Sequence, residues 1–192
     1  MAKTPQMKKE KIAHHFKEIM VELGLDLNDP SLAGSPDRVA KMYVDEIFSS
    51  LSNPPPRLMF QPNSFKYDQM LVETGIEVNT VCEHHFLPII CKVHIGYIPK
   101  AKLIGLSKLN RIARYHGARP QVQERLTEQI KHNLVSELDT DHVAVCIDGV
   151  HFCVKMRGVM DSNAVTRTTA LGGEFSTSIS ARKEFLGAIR QH

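Results

Sequence analysis

The densest group of chemically capable residues is the run Cys82-Glu83-His84-His85, which follows a polar, strand-like stretch and precedes Pro88. Thiolate and imidazole are the donors zinc prefers, and a Cys-His pair spaced i, i+3 in a turn can converge on one ion. Spacing does not say which of His84 and His85 would bind. The second group runs from His151 to Arg157. Period-two alternation there would put His151, Cys153, Lys155 and Arg157 on one strand face, with Phe152, Val154 and Met156 on the other. A core explains the apolar set. The other set gathers a thiol, an imidazole and cations on one surface, and packing gives no reason for it. If Cys153 joins Cys82 and one of the two histidines, an ion gains three protein ligands and keeps an open position, as in a catalytic zinc site. Read instead as buried thiols or as a disulfide, the same two cysteines would need no metal, and the residues alone leave that alternative standing.

The remaining candidates weigh differently. Cys91 shares its face with Val93, Ile95 and Tyr97, and Cys146 sits within Val-Ala-Val-Cys-Ile, so both are expected in the core. His14-His15 lies on a lysine-rich helical segment without a nearby cysteine and is expected to be plain surface. Arg38 and Lys41 are spaced i, i+3, Lys108 and Arg111 repeat that spacing after Ser107, and Arg157 comes from the second group. A helix N-terminus with Lys and Arg around it is a good phosphate cradle, although charges at helical spacing are also what a solvated surface carries. Gln123-Glu124 sits near a helix start. A carboxylate there can read a guanidine-like edge, or simply favour the helix dipole.

These residues need elements to hold them. Ile12, Phe16, Ile19, Met20 and Leu23 recur at helical spacing from Lys8 to Leu23, with Gly24 as a stop. Ser35 can cap a second helix that starts at Pro36 and buries Val39, Met42, Tyr43 and Ile47. The stretch from Ser49 to Pro62, with prolines at 54, 55 and 56, reads as a connector. Beyond it, Ile90 to Ile98 alternates as a strand with one buried side. Ser107 is a plausible N-cap for a helix carrying Leu109, Ile112 and Ala113 and ending near Gly117. A longer helix buries Val122, Leu126, Ile130, Leu134 and Leu138. Val143 to Ile147 and Val150 to Arg157 read as two strands joined by a hairpin turn at Asp148-Gly149. A Thr-rich strand follows within Ala164 to Leu171, then a short C-terminal helix with Phe185, Leu186 and Ile189. Helices followed by two groups of strands separated by two helices favour an α+β fold over a wound parallel sheet. The expected organisation is a helical region with linker over residues 1–62 and a catalytic domain over 63–192.

Composition narrows the function. A chain of 192 residues, 42% hydrophobic and 23% charged, has material for a real core and is unlike disordered, collagenous or disulfide-scaffold chains. No apolar run is long enough to span a membrane, and Lys8, Lys9, Glu10 and Lys11 stand where a signal peptide needs apolar residues, so the expectation is a cytoplasmic protein with no membrane partner. Twenty-four Lys and Arg against 21 Asp and Glu give +3, too mild a balance to argue for nucleic acid as the partner. Four cysteines in a reducing compartment are expected to be packed, catalytic or metal-bound.

Taken together, the motifs resemble the zinc-dependent GTP cyclohydrolase I family. The matching stretches are Ser-Pro-Asp-Arg-Val-Ala-Lys-Met-Tyr from Ser35, Cys-Glu-His-His from Cys82, Gly-Tyr-Ile-Pro from Gly96, Ile-Gly-Leu-Ser-Lys-Leu-Asn-Arg-Ile from Ile104, Arg-Pro-Gln-Val-Gln-Glu-Arg-Leu-Thr from Arg119 and His-Phe-Cys-Val-Lys-Met-Arg-Gly from His151. They cover the chain from roughly Gly24 to its end, in the family's order. The resemblance implies a hydrolase acting on cyclic amidines: it opens the imidazole ring of GTP, releases C8 as formate and forms 7,8-dihydroneopterin triphosphate, the entry to folate and other pterins. It implies zinc held by Cys82, His85 and Cys153, with His84 protonating N7 of the purine, His151 as a second proton carrier and Ser107 as a helper in the later ribose rearrangement. Glu124 would anchor the guanine edge with Gln123 beside it, while Arg38, Lys41, Lys108, Arg111 and Arg157 hold the triphosphate. It also implies the tunnelling fold, an antiparallel sheet with two helices on one side, in which five chains close a barrel and two rings stack into a homodecamer. One departure stands out. His116-Gly117 replaces an apolar residue followed by Ala or Ser, and a glycine there is expected to break the run between the two central helices. The competing readings are a sister enzyme of the same fold, such as a pterin synthase or a nitrile reductase, and a zinc-stabilised nucleotide-binding assembly without catalysis.

Overall fold

A computed structural model of the chain describes residues 4–191. They divide between Pro54 and Pro55 into two compact units. Among the described residues, no helix is long and apolar enough to cross a membrane.

The first unit is helical. α1 (Pro5–Glu22) begins where the Thr4 side chain accepts the Met7 N–H, and the chain leaves it through Gly24 at φ 75°. α2 (Ser35–Lys41) starts after Gly34 and runs on into a π-helical turn at Met42–Ile47 and a 3-10 turn at Ser49–Leu51. The predicted face of this second helix is only half-buried; α2 buries Pro36 and Ala40, and Phe48 and Ser50 are buried beyond the π-helical turn. The apolar stripe of α1 is likewise left largely open, with Met20 buried but Ile19 52% and Leu23 71% exposed. A helix of seven residues is too short to cover one of 18. Lys9 pairs with Asp45 at 2.7 Å and secures α1 to the π-helical turn.

The second unit holds the sheet. β1 (Phe60–Pro62), inside the stretch expected to be a connector, pairs with β4 (Lys102–Ile104) as a separate two-stranded ribbon. The main sheet contains β2 (Leu71–Cys82), β3 (Pro88–Tyr97), β5 (Pro120–Gln121), β6 (Val143–His151) and β7 (Thr166–Leu171), in the order β5-β2-β3-β6-β7. Its four long strands are antiparallel neighbours, and β5 adds two residues in parallel against Val81 and Cys82. α3 (Leu106–Gly117) and α4 (Gln123–Leu138) cover one face. The α+β expectation therefore holds. Alternation along β3 points Cys91, Val93, Ile95 and Tyr97 at Leu109, Ile112, Leu126, Ile130 and Leu134, all at most 1% exposed. The close approach explains Gly117, which ends α3, so the run between the two central helices breaks there as expected. A Cβ there would lie 2.4 Å from Val78 Cγ1. On the opposite face, Phe175 and Phe185 from α6 (Glu174–Thr177) and α7 (Ile179–Ala188) bury Ala144 and Cys146. Burial pushes the Cys91 thiol up to about 12 and the Cys146 thiol to about 11, as expected for packing cysteines.

Two local expectations fail. Asp148-Gly149 makes no hairpin: β6 runs unbroken from Val143 to His151, and Phe152–Lys155 forms one helical turn, α5, in place of a second strand. The ladders explain this, since Asp148 is paired with Lys92 on one side and Arg167 on the other, and Gly149 with Cys91 and Thr166. A turn would forfeit both sides. Ser107 is not the cap of α3 either; Gly105 holds that position, and Ser107 sits in the first turn.

Candidate metal centre

Topology brings the two candidate cysteines to the same end of the sheet. β2 finishes at Cys82, β3 starts at Pro88 beside it, and β6 finishes at His151 on the other side of β3, where Ile89 pairs with His151. The chain after β2 turns tightly, with Cys82 N–H donating to Leu87 O and Phe86 N–H to Cys82 O, both at 2.8 Å, and with Phe86 at φ 55°. This leaves Cys82 buried and His84 and His85 exposed. Cys153 enters from α5. Its position follows from the helical turn after β6, not from the strand alternation expected for residues 150–157.

The donor atoms of Cys82, His85 and Cys153 all lie within 4.8 Å of one another. Cys82 Sγ is 3.9 Å from His85 Nδ1 and 3.8 Å from His84 Nδ1. All four cysteines are free, so no disulfide joins Cys82 to Cys153. Two sulfurs and an imidazole are the donor set of a zinc site, and three protein ligands leave room for a fourth. Burial and the adjacent Cys82 thiol hold the Cys153 thiol above its usual value, a cost that a bound cation reverses. The donors therefore fit zinc. His14, His15 and Glu18 also converge, but on the exposed surface of α1, where each histidine meets Glu18 at 3.3 Å and no thiol is near.

Behind the centre, His151 is held by Gln123. The Gln123 Nε2 donates to Ile147 O, Thr166 O and Thr168 Oγ1 at 2.9–3.1 Å, so its Oε1 is the atom that meets His151 Nε2 at 2.7 Å. His151 must then carry its hydrogen on Nε2, which leaves Nδ1 with a lone pair. Burial lowers the His151 pKa, and the nearby Glu124 carboxylate partly restores it. This pair also accounts for Gly149: a Cβ at that position would stand 2.1 Å from Gln123 Oε1. Gln123, expected beside substrate, is 2% exposed with its amide engaged inside the protein.

The other candidates distribute as follows. Glu124 is exposed in the first turn of α4, close enough for its charge to act on His151. Arg157 Nη1 sits 2.5 Å from His85 Nε2 at the centre itself. Ser107 and Arg111 are exposed and Lys108 half-exposed on the first turns of α3. Arg38 and Lys41 belong to α2 in the first unit, where the Arg38 guanidinium donates to Ser31 O and Ser35 Oγ.

A set of residues around the Cys82–His85 loop was not among the candidates read from the sequence. Glu83 N–H donates to Gln121 O, and the Glu83 carboxylate pairs with Arg125, whose guanidinium holds it below the usual carboxylate range. Gln121 is fully buried, and its side chain links Arg125 to Gln129 and to His116 O. In the sequence Glu83, Gln121 and Arg125 read as ordinary polar surface residues, and nothing in their spacing marks them as a set.

Comparison with known proteins adds the following. A family model described as GTP cyclohydrolase I matches residues 12–190. A GTP cyclohydrolase 1 from Aeromonas salmonicida is 52% identical over 186 residues, covering 96% of this chain and 85% of that protein. One from Vibrio cholerae is 50% identical over 188 residues, covering 97% and 87%. Among solved structures, an archaeosine synthase QueF-like protein in the apo form aligns with TM-score 0.44 and 14% identity, over 56% of this chain and 94% of that one.

Proposed function

Because the chain belongs to the GTP cyclohydrolase I family, we propose that it opens the imidazole ring of GTP at a zinc centre held by Cys82, His85 and Cys153, releases C8 as formate and forms 7,8-dihydroneopterin triphosphate. The chain is an enzyme of that family, which takes GTP as substrate and begins folate and pterin synthesis, and its antiparallel sheet with two helices on one face is the family's tunnelling fold. The observation that carries the zinc reading is the convergence of two sulfurs and one imidazole, from a loop after one strand and a helical turn after another, within 4.8 Å.

When bound, zinc supplies the Lewis acidity that makes hydroxide available near neutral pH. The protein supplies position and protons. In this reading the Glu124 carboxylate accepts hydrogen bonds from the guanine N1–H and 2-amino group, a bidentate match that fixes the base. His84, exposed beside Cys82, delivers a proton to N7 as C8 is attacked. His151, with its Nε2–H spent on Gln123, has Nδ1 as the atom that takes up and returns a proton during ring opening. Burial lowers its pKa and so favours the neutral ring, whose Nδ1 lone pair is open to a proton. Lys108, Arg111 and Arg157, joined by Arg38 and Lys41, neutralise the triphosphate, and Ser107 serves the later ribose rearrangement.

The reading extends to assembly in the cytoplasm. Closure of a ring of five chains would pair the open edges of the sheet, and stacking of two rings would give the decamer. To test the function, zinc-loaded protein is incubated with GTP and the mixture oxidised. The appearance of a fluorescent pterin supports the proposal; GTP left intact overturns it.

A further inference from the structure

We propose that Arg125 is a positioning residue that ties the loop presenting Cys82 and His85 to the helix presenting Glu124, so that the metal ligands and the guanine-reading carboxylate keep one fixed geometry. The inference rests on the assignment of those ligands made above.

The loop from Glu83 to His85 has little of its own to hold it. Its two histidines are exposed, and the bonds from Cys82 to Leu87 and from Phe86 to Cys82 close the loop on itself. Beyond the contact of His85 Nε2 with Arg157, two of its anchors to the rest of the fold run through Glu83: the backbone N–H to Gln121 O at 3.1 Å and the carboxylate to Arg125. Arg125 stands next to Glu124 in the first turn of α4. Its guanidinium is divided among three acceptors, with Nη2 reaching the Glu83 carboxylate and, at 3.2 Å, Pro120 O, while Nε reaches Gln121 Oε1 at 3.0 Å.

An exposed ion pair between two free side chains adds little. This one is different because the Arg125 end is fixed and the backbone of Glu83 is tied to the same residue that fixes it. Gln121 is fully buried, and its Nε2 donates to His116 O at 2.8 Å and Gln129 Oε1 at 2.9 Å, which locks the acceptor that Arg125 needs onto α3 and α4. Arginine suits the place because a planar fork serves several acceptors at once; a lysine ammonium on a flexible stem cannot reproduce that spread. A movement of the loop is therefore transmitted to the turn that carries Glu124, and the reverse.

The test compares zinc-loaded wild type, R125M, R125K, E83Q and the double variant E83Q/R125M as intact oligomers. Zinc release to a chromophoric chelator is followed in time, and kcat and KM for GTP are measured at saturating zinc. The inference predicts release about tenfold faster in R125M and in E83Q, R125K resembling R125M, and a double variant no faster than R125M. At saturating zinc, R125M should raise KM more than it lowers kcat. Wild-type release rates in folded R125M and E83Q, or effects that add in the double variant, overturn it. If R125M fails to fold, E83Q decides, since it leaves the bonds between Arg125 and Gln121 in place. A wild-type protein that holds no zinc overturns the ligand assignment itself, a separate result.

Discussion

At the scale of single residues, the imidazole that joins the two thiols follows from geometry, with the donor atoms of Cys82, His85 and Cys153 all within 4.8 Å of one another. A Cys-x-x-His spacing and a Cys-x-His spacing both fit a turn, and only the fold groups the His85 nitrogen with both sulfurs. The strand alternation used to connect His151 with Cys153 was wrong in geometry, because α5 replaces a strand there. Cys153 still faces Cys82, since a single helical turn bends the chain back toward the end of β2. Replacing His84 with Ala should leave zinc content and assembly intact while lowering turnover about 10²–10⁴-fold, as expected for a lost proton donor; unchanged turnover would remove it from the mechanism. Gly149→Ala provides a complementary case. The added Cβ would stand 2.1 Å from Gln123 Oε1, so the amide must move and His151 with it. The expected result is full zinc content with kcat down about 10²-fold, the scale of a misplaced catalytic group, read by metal analysis beside steady-state kinetics.

At the scale of elements, buried periodicity was legible and ladders were not. The stripes of α3 and α4 and the alternation of β3 appear in the sequence because one face of each must be apolar. Asp148-Gly149 looked like a turn because the sequence does not show that both residues have partners on two sides. Across the face opposite α3 and α4, Glu77, Lys92, Asp148 and Arg167 stand in register on four strands, alternating in sign. Within this row, Arg167 donates to both Asp148 oxygens at 2.6 Å and holds the Asp148 carboxyl below its ordinary value of 3.8. A group with a depressed folded pKa contributes stability that is present above its unfolded value and lost as pH falls through the folded one. Asp148→Asn should therefore lower stability by about 1 kcal/mol at neutral pH and flatten the loss expected of wild type below about pH 4. Urea titrations across that range check it. A variant that loses stability as steeply in acid as wild type would show that the pair contributes nothing.

At the scale of the whole molecule, the +3 balance conceals five cations that the proposed function aims at one triphosphate. The main sheet ends in β7 on one side and in the two-residue β5 on the other, and the charged row that crosses it runs from Glu77 on β2, beyond the residues β5 pairs with, to Arg167 on β7. Those strands run in opposite directions, so a second copy can continue the antiparallel order with opposite charges meeting. The segment between α5 and β7 also exposes apolar residues, including Val159 at 84% and Met160 at 66%. The proposed ring predicts a mass in native mass spectrometry that is a multiple of five chains; a stable monomer at micromolar concentration would contradict it. Little of this was legible in the sequence, because an edge and its complement are properties of the folded sheet.

The most direct test of the zinc-dependent ring opening is to count formate released per GTP consumed, before and after treatment with a chelator and again after zinc is restored. One formate per GTP, near-complete loss on chelation and recovery with zinc are the expected results. GTP consumption without formate, or formate release that survives removal of the metal, would contradict zinc-dependent ring opening.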